Sequence, residues 1–124
     1  MARKKKKKIL LVEDEPLLKD LYKKKIQEMG MDVLAVTSAE EANKYLKKEK
    51  HIDLIILDIL LPRENGVSFL KEIRKKGYQF PVLILTNLEN GTLRKKVRRL
   101  RIQEYLLKTD YTPSQVIEKI KKYL

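Results

Sequence analysis

Hydrophobic residues fall along this chain in two alternating textures. Unbroken aliphatic runs such as Ile9-Leu10-Leu11-Val12, Leu54-Ile55-Ile56-Leu57 and Val82-Leu83-Ile84-Leu85 are separated by longer stretches in which apolar positions recur every three or four residues. The first texture predicts strands buried on both faces and the second predicts amphipathic helices. KILLVED reads as a strand ending at Glu13 and Asp14. In EPLLKDLYKKKIQEMG, Leu18, Leu21, Tyr22, Ile26 and Met29 share a helical face, with Pro16 in the first turn and Gly30 as the stop. MDVLAVT is a second strand, and in SAEEANKYLKK the spacing of Ser38 and Glu41 predicts a capping box.

DLIILD is the third strand, followed by a helix through GVSFLKEIRKKG that stops near Gly77. FPVLILT is the fourth, and a basic helix through TLRKKVRRLR carries Leu93, Val97 and Leu100 on one face. EYLLK is a short fifth strand, and TPSQVIEKIKKYL the last helix, with Thr112 as N-cap and Pro113 at its first position. Five βα units with short connections predict an α/β fold, a doubly wound (βα)5 parallel sheet. The common five-stranded order is the flavodoxin-like 2-1-3-4-5. Residues 1–124 are expected to form one domain, with residues 1–7 as a basic N-terminal extension.

Composition narrows the chemistry. The chain has no cysteine and a single histidine, His51, which removes thiolate chemistry and multi-histidine metal sites and fits a reducing cytoplasm. No apolar run approaches the ~18 residues of a membrane helix, so a soluble protein without a membrane partner is expected. Lys and Arg number 29 against 17 Asp and Glu, a net charge of +12, and such a surface attracts polyanions.

In a sheet of this order, ligands bind beyond the carboxyl ends of the strands, near the switch point between strands 1 and 3. The acids predicted there are Glu13, Asp14 and Asp58. Converging carboxylates repel one another, and a hard divalent cation relieves that repulsion, Mg²⁺ first with Mn²⁺ as the alternative. Read separately, Glu13, Asp14 and Glu15 could instead serve only to favour the start of the first helix. Asp58 points away from that reading, because a turn containing Pro62 and Gly66 precedes the next helix. Strand 4 ends on Thr86 and strand 5 on Lys108. Each suits phosphoryl transfer: Asp58 as carboxylate nucleophile, the metal and Lys108 neutralising phosphoryl oxygens, Thr86 as hydrogen-bond donor.

These motifs resemble the receiver domain of two-component response regulators, over essentially the whole chain. They are the pair Glu13-Asp14, the D-x-x-x-P-x-x-N-G segment from Asp58 to Gly66, Thr86, and Y-L-x-K from Tyr105 to Lys108. The resemblance implies a phosphorelay signalling protein rather than an enzyme, in which Asp58 accepts a phosphoryl group from a histidine kinase or histidine phosphotransfer protein. It implies Mg²⁺ bound by Asp14 and Asp58, with Glu13 partly through water and the backbone carbonyl of Leu60. Thr86, Lys108 and the backbone N–H of Asn87 would hold the phosphoryl oxygens. Tyr105 would be an aromatic switch moving inward with Thr86, read out on the face of helix 4, strand 5 and helix 5.

Three departures from the family pattern stand out. Lys108 is followed by Thr109 where the family has a cis proline; a cis bond before a non-proline costs ~2.5–4 kcal/mol, so a trans loop is expected. Asn87 replaces a small residue after the switch Thr, which would narrow access to Asp58. Arg101-Ile102 replaces a Gly-Ala pair before strand 5, which predicts a remodelled end of helix 4. The positions flanking the hydrolytic water in receivers are Leu60 and Leu88 here, and neither activates water, so slow self-dephosphorylation is expected.

No output domain follows the last helix, and a stand-alone receiver is expected. A rival reading is a constitutive polyanion- or acidic-partner-binding module on the same fold, an engineered or vestigial receiver included. It rests on the lysine run Lys4–Lys8 and on a helix-4 cluster in which Arg94, Lys95, Arg98 and Arg99 form a candidate face for an acidic partner. Nucleic acid is not favoured, because no stacking aromatics accompany that cluster.

Overall fold

The structure, a computed structural model, describes residues 6–49 and 51–124. The first two lysines of the run Lys4–Lys8, and most of the proposed N-terminal extension, lie outside the described residues. Five strands, β1 (Lys8–Val12), β2 (Asp32–Val36), β3 (Leu54–Leu57), β4 (Val82–Thr86) and β5 (Glu104–Leu107), pair in parallel in the order β2-β1-β3-β4-β5. Five α-helices intervene: α1 (Pro16–Glu28), α2 (Ala39–Lys48), α3 (Gly66–Lys75), α4 (Gly91–Arg98) and α5 (Pro113–Lys121). This is the flavodoxin-like doubly wound architecture that the alternation of textures predicts.

Alternation along each strand divides the core into two layers. Leu10, Val12, Ile55, Leu57 and Ile84 pack with Ala42, Leu46, Phe69, Ile73 and Val97 of α2, α3 and α4. Ile9, Leu11, Ile56, Leu83 and Leu106 pack on the other side with Tyr22, Ile26, Val116 and Ile120 of α1 and α5. Unbroken aliphatic runs are therefore what a sheet covered on both faces requires.

Local details depart from the sequence pattern where a neighbour offers a better partner. Leu21 is exposed, although the 3.6-residue period groups it with Tyr22 and Ile26. It sits about 60° to one side of Leu18 while Tyr22 and Ile26 lie on the other, so the stripe facing the sheet excludes it. Ser38 accepts from the Glu41 N–H at 3.2 Å, but Glu41 turns its carboxylate to the N–H and hydroxyl of Thr37. The reciprocal box forms instead on α5, between Thr112 and Gln115. The two helix-stop glycines, Gly30 and Gly77, have φ of 81° and 91°.

The Arg101-Ile102 pair lies in the turn that leads from α4 to β5. The helix closes at Arg98, and Arg101 adopts φ 62° at the turn into β5, a left-handed conformation that costs a side chain about 1–2 kcal/mol. Arg74 of α3 stabilises this turn from outside. Its guanidinium donates to the carbonyls of Leu100 at 2.8 Å, Tyr78 at 3.0 Å and Arg101 at 3.2 Å. Burial, and then the charge of Arg101, push its pKa down, yet a guanidinium keeps its proton under any ordinary condition. Replacing Arg74 by Met should cost about 2 kcal/mol in urea denaturation, since three carbonyls lose charge-assisted partners. Lys at this position should recover only part of the loss, because an ammonium cannot span three separated acceptors.

Candidate phosphoryl-accepting site

Parallel register brings the candidate residues to one edge. The Glu13 N–H continues the ladder past β1 by donating to the Val36 carbonyl at 3.0 Å, and the Asp58 N–H does the same to Val12 at 3.1 Å. Both acids therefore leave the carboxyl end of the sheet with their backbones fixed. Leu107 pairs with Thr86 on β4, which delivers Lys108 to the same edge.

There the Lys108 ammonium lies 2.5 Å from Glu13 Oε1 and 2.7 Å from Asp58 Oδ2. All three side chains are buried, with exposures of 8%, 2% and 5%. The second Asp58 oxygen, Oδ1, accepts from the Leu60 N–H at 3.0 Å. Glu13 Oε2 accepts from the Glu15 N–H at 3.2 Å; Glu15, at the N-cap of α1, makes no side-chain cap bond, and the first turn of that helix holds no acid. No side-chain cap bond from Glu15 to α1 therefore accounts for this acidic run. Burial pushes the Glu13 pKa up, against the pull of Lys108. Burial pulls the Lys108 pKa down, but its hydrogen bonds to Asp58 and Glu13 outweigh that and leave it raised.

Asp14 stands exposed beside this trio, and one carboxylate oxygen from each of Glu13, Asp14 and Asp58 lies within 4.8 Å of the others. Three carboxylates around one ammonium leave an excess of negative charge. The donors are hard oxygens, with no thiolate or imidazole among them, and they fit a small divalent cation. Thr86 is fully buried at the end of β4, and its hydroxyl accepts from the Leu88 N–H at 3.3 Å.

Residues 9–121 match the response regulator receiver domain. The chain belongs to that family. Over 118 residues it is 33% identical to the alkaline phosphatase synthesis transcriptional regulatory protein PhoP of Bacillus subtilis, covering 95% of this chain and 48% of that one. With the transcriptional regulatory protein BasR of Escherichia coli K12 it shares 41% identity over 103 residues, covering 82% of this chain and 45% of the relative. The chain thus spans about half the length of these curated relatives. The non-phosphorylated HemR receiver domain of Leptospira biflexa superposes with a TM-score of 0.86 at 27% identity, over 95% of this chain and 94% of that one.

Within this receiver, the departures from the family pattern have visible consequences. The Lys108–Thr109 peptide is trans, and Lys108 still reaches both acids. Asn87 is exposed beside Thr86 at the mouth of the site. Tyr105 is half-buried, and its hydroxyl donates to the Leu88 carbonyl at 2.5 Å. The guanidinium of Arg94 lies 4.7 Å over the Tyr105 ring. Its Nε stands 3.4 Å from Glu89 Oε1, an ion pair without hydrogen-bond geometry. Of the four residues of the candidate partner face, Lys95, Arg98 and Arg99 are exposed, while Arg94 is half-buried. No helix among the described residues is long and apolar enough to cross a membrane.

Sequence reasoning missed the Leu88 backbone, which bonds to Thr86 through its N–H and to Tyr105 through its carbonyl. A main-chain group leaves no mark in a sequence. It also undervalued Gly66. A Cβ at that position would stand 2.3 Å from the Asp58 carbonyl oxygen and 2.9 Å from the Ile59 Cα, while the Gly66 N–H donates to Ile59 at 2.9 Å. The Asn-Gly of the motif is thus a close crossing of backbone over backbone.

Gly66→Ala should lower stability by about 2 kcal/mol or more, because neither backbone can yield; thermal unfolding, with amide shifts of Asp58 and Ile59, reads it. Lys108→Met should cost about 3 kcal/mol at neutral pH by leaving two buried carboxylates unpaired. The raised pKa of Glu13 means that its protonated form suits the fold, and that this benefit is lost as pH rises through the folded value. The penalty of the variant should therefore shrink as pH is lowered and Glu13 takes up a proton. Denaturant titrations at neutral and mildly acidic pH check the sign.

Proposed function

We propose that this receiver is a phospho-acceptor of a two-component phosphorelay, and that Asp58 carries the phosphoryl group. The observation that supports this best is the setting of Asp58. It is a buried carboxylate with one oxygen on a backbone N–H and the other on an ammonium, beside two further acids. An Asp58 oxygen would attack phosphorus in a phosphohistidine of a histidine kinase or phosphotransfer protein. The O–P bond forms as the N–P bond breaks, and the electron pair returns to the imidazole nitrogen. The receiver is then a substrate of its kinase rather than an enzyme, and the reading goes with a cytoplasmic location.

Mg²⁺, or Mn²⁺ in its place, would be held by Asp14, Asp58 and the Leu60 carbonyl, and would supply neutralisation of the phosphoryl charge. Glu13, already engaged by Lys108 and the Glu15 N–H, suits a contact through water. Lys108 would hold one phosphoryl oxygen, and Thr86 and the Asn87 N–H the others. Drawing the Thr86 hydroxyl toward a phosphoryl group would release its bond from Leu88, whose carbonyl holds Tyr105. That chain of contacts supports a shift of the face of α4, β5 and α5, where exposed Lys95, Arg98 and Arg99, together with Arg94, suit an acidic partner.

Intact mass after incubation with acetyl phosphate and Mg²⁺ is the test. One phosphoryl adduct is expected, absent from Asp58→Asn and lost when the metal is chelated. If acetyl phosphate and a phosphorylated kinase both leave the mass unchanged, the reading fails, and a constitutive acidic-partner module replaces it. Because Leu60 and Leu88 flank the site and cannot orient water, the adduct should persist for many minutes. A half-life of seconds would contradict that assignment.

A further inference from the structure

A second concavity opens on the carboxyl side of the fold, between the loop after β3, helix α3 and the start of α4, with a volume of about 350 Å³. Its floor is aliphatic, formed by Leu60, Leu61, Val67, Leu88 and Leu93. Leu60 is 51% exposed, so part of this apolar floor is open to a ligand. Lys71 from α3 and Lys96 from α4 form the rim. Both ammonium groups thus face one groove, and the charge of Lys96 contributes to a lowered Lys71 pKa.

No acid lines this groove among the described residues; the other polar side chains there are Asn65 and Ser68. The cleft between α2 and α3 is different. It also carries cations, but Arg63 pairs with Glu40 at 3.5 Å and Lys76 with Glu72 at 3.1 Å. Two like charges on one apolar groove are relieved by an anion brought by a ligand.

We propose that the groove between α3 and α4 docks an acidic, aliphatic segment of a partner protein, with a carboxylate bridging Lys71 and Lys96 and a leucine-like side chain on the floor. A second copy of this chain is a poor occupant, because a net charge of +12 makes the copies repel. Nucleic acid is a poor occupant too, because the groove has no aromatic ring on which a base could stack. Exposed Lys95, Arg98 and Arg99 continue the positive field along α4 and would steer an acidic segment inward. The docking does not depend on the chemistry at Asp58, so the unphosphorylated protein serves for the test.

The probe is a short peptide of alternating Glu-Glu and Leu-Leu pairs, titrated into the full chain while amide shifts are followed. Shifts are expected at Leu60, Ser68, Lys71, Leu93 and Lys96. Lys71→Glu with Lys96→Glu should weaken binding about tenfold, as when a desolvated charge pair is lost. Lys23→Glu with Lys24→Glu on α1, an equal change of net charge, should leave it nearly unchanged. An equal loss in both pairs would reduce the effect to bulk charge and overturn the proposal. So would equal binding of the peptide with Ser in place of Leu, or shifts in the same groove of equal size with single-stranded DNA. Since all four lysines are exposed, a dispersed amide spectrum for each variant is expected; should the Glu pair misfold, the Gln pair at 71 and 96 carries the same comparison.

Discussion

One buried ammonium between two buried carboxylates organises the carboxyl edge of this sheet. Lys108 cannot be taken out of water without partners, and Glu13 and Asp58 cannot share so small a space without a cation. Each is held by a different strand, so the ion pair ties β1, β3 and β5 together across their ends. The balance is still short of positive charge once Asp14 is counted. A site built this way is structurally complete as a salt bridge and incomplete as a charge distribution, and its excess of negative charge suits a small cation.

The loop after β4 joins the edge of the sheet to Tyr105 and Arg94 through a chain of contacts. Leu88 faces two ways through its backbone: its N–H to Thr86, its carbonyl to Tyr105. Arg94 then covers the Tyr105 ring, where a cation over an aromatic face contributes roughly 0.5–2 kcal/mol. Arg94 is therefore shared between an internal contact and the exposed basic face of α4, and cannot serve both fully at once.

Charge is distributed with the same logic. A chain of net charge +12 places several of its few acids at the mouth of the sheet, and its cations on the surrounding helices. In the cleft between α2 and α3 the cations find carboxylate partners. Between α3 and α4 they do not, and there the cations flank an aliphatic groove in which Leu60 is exposed.

Much of this was legible in the sequence, for definite reasons. Unbroken aliphatic runs of four residues rich in Ile and Val suit strands covered on both faces, and alternation with amphipathic helices leaves a parallel doubly wound sheet as the simple solution. Strand ends then locate Glu13, Asp14, Asp58, Thr86 and Lys108 before any coordinates exist. Helix stops at Gly30 and Gly77 follow from glycine's tolerance of positive φ. Tertiary structure decided what depends on backbone acceptors and on competition between neighbours. It assigned Lys108 to Glu13 as well as Asp58, turned Glu41 to Thr37, left Leu21 in solvent, and sent Arg74 to three carbonyls at the end of α4. Carbonyl groups are identical in every residue, so no sequence announces which ones will need a donor, and only the packed chain determines which donor reaches them.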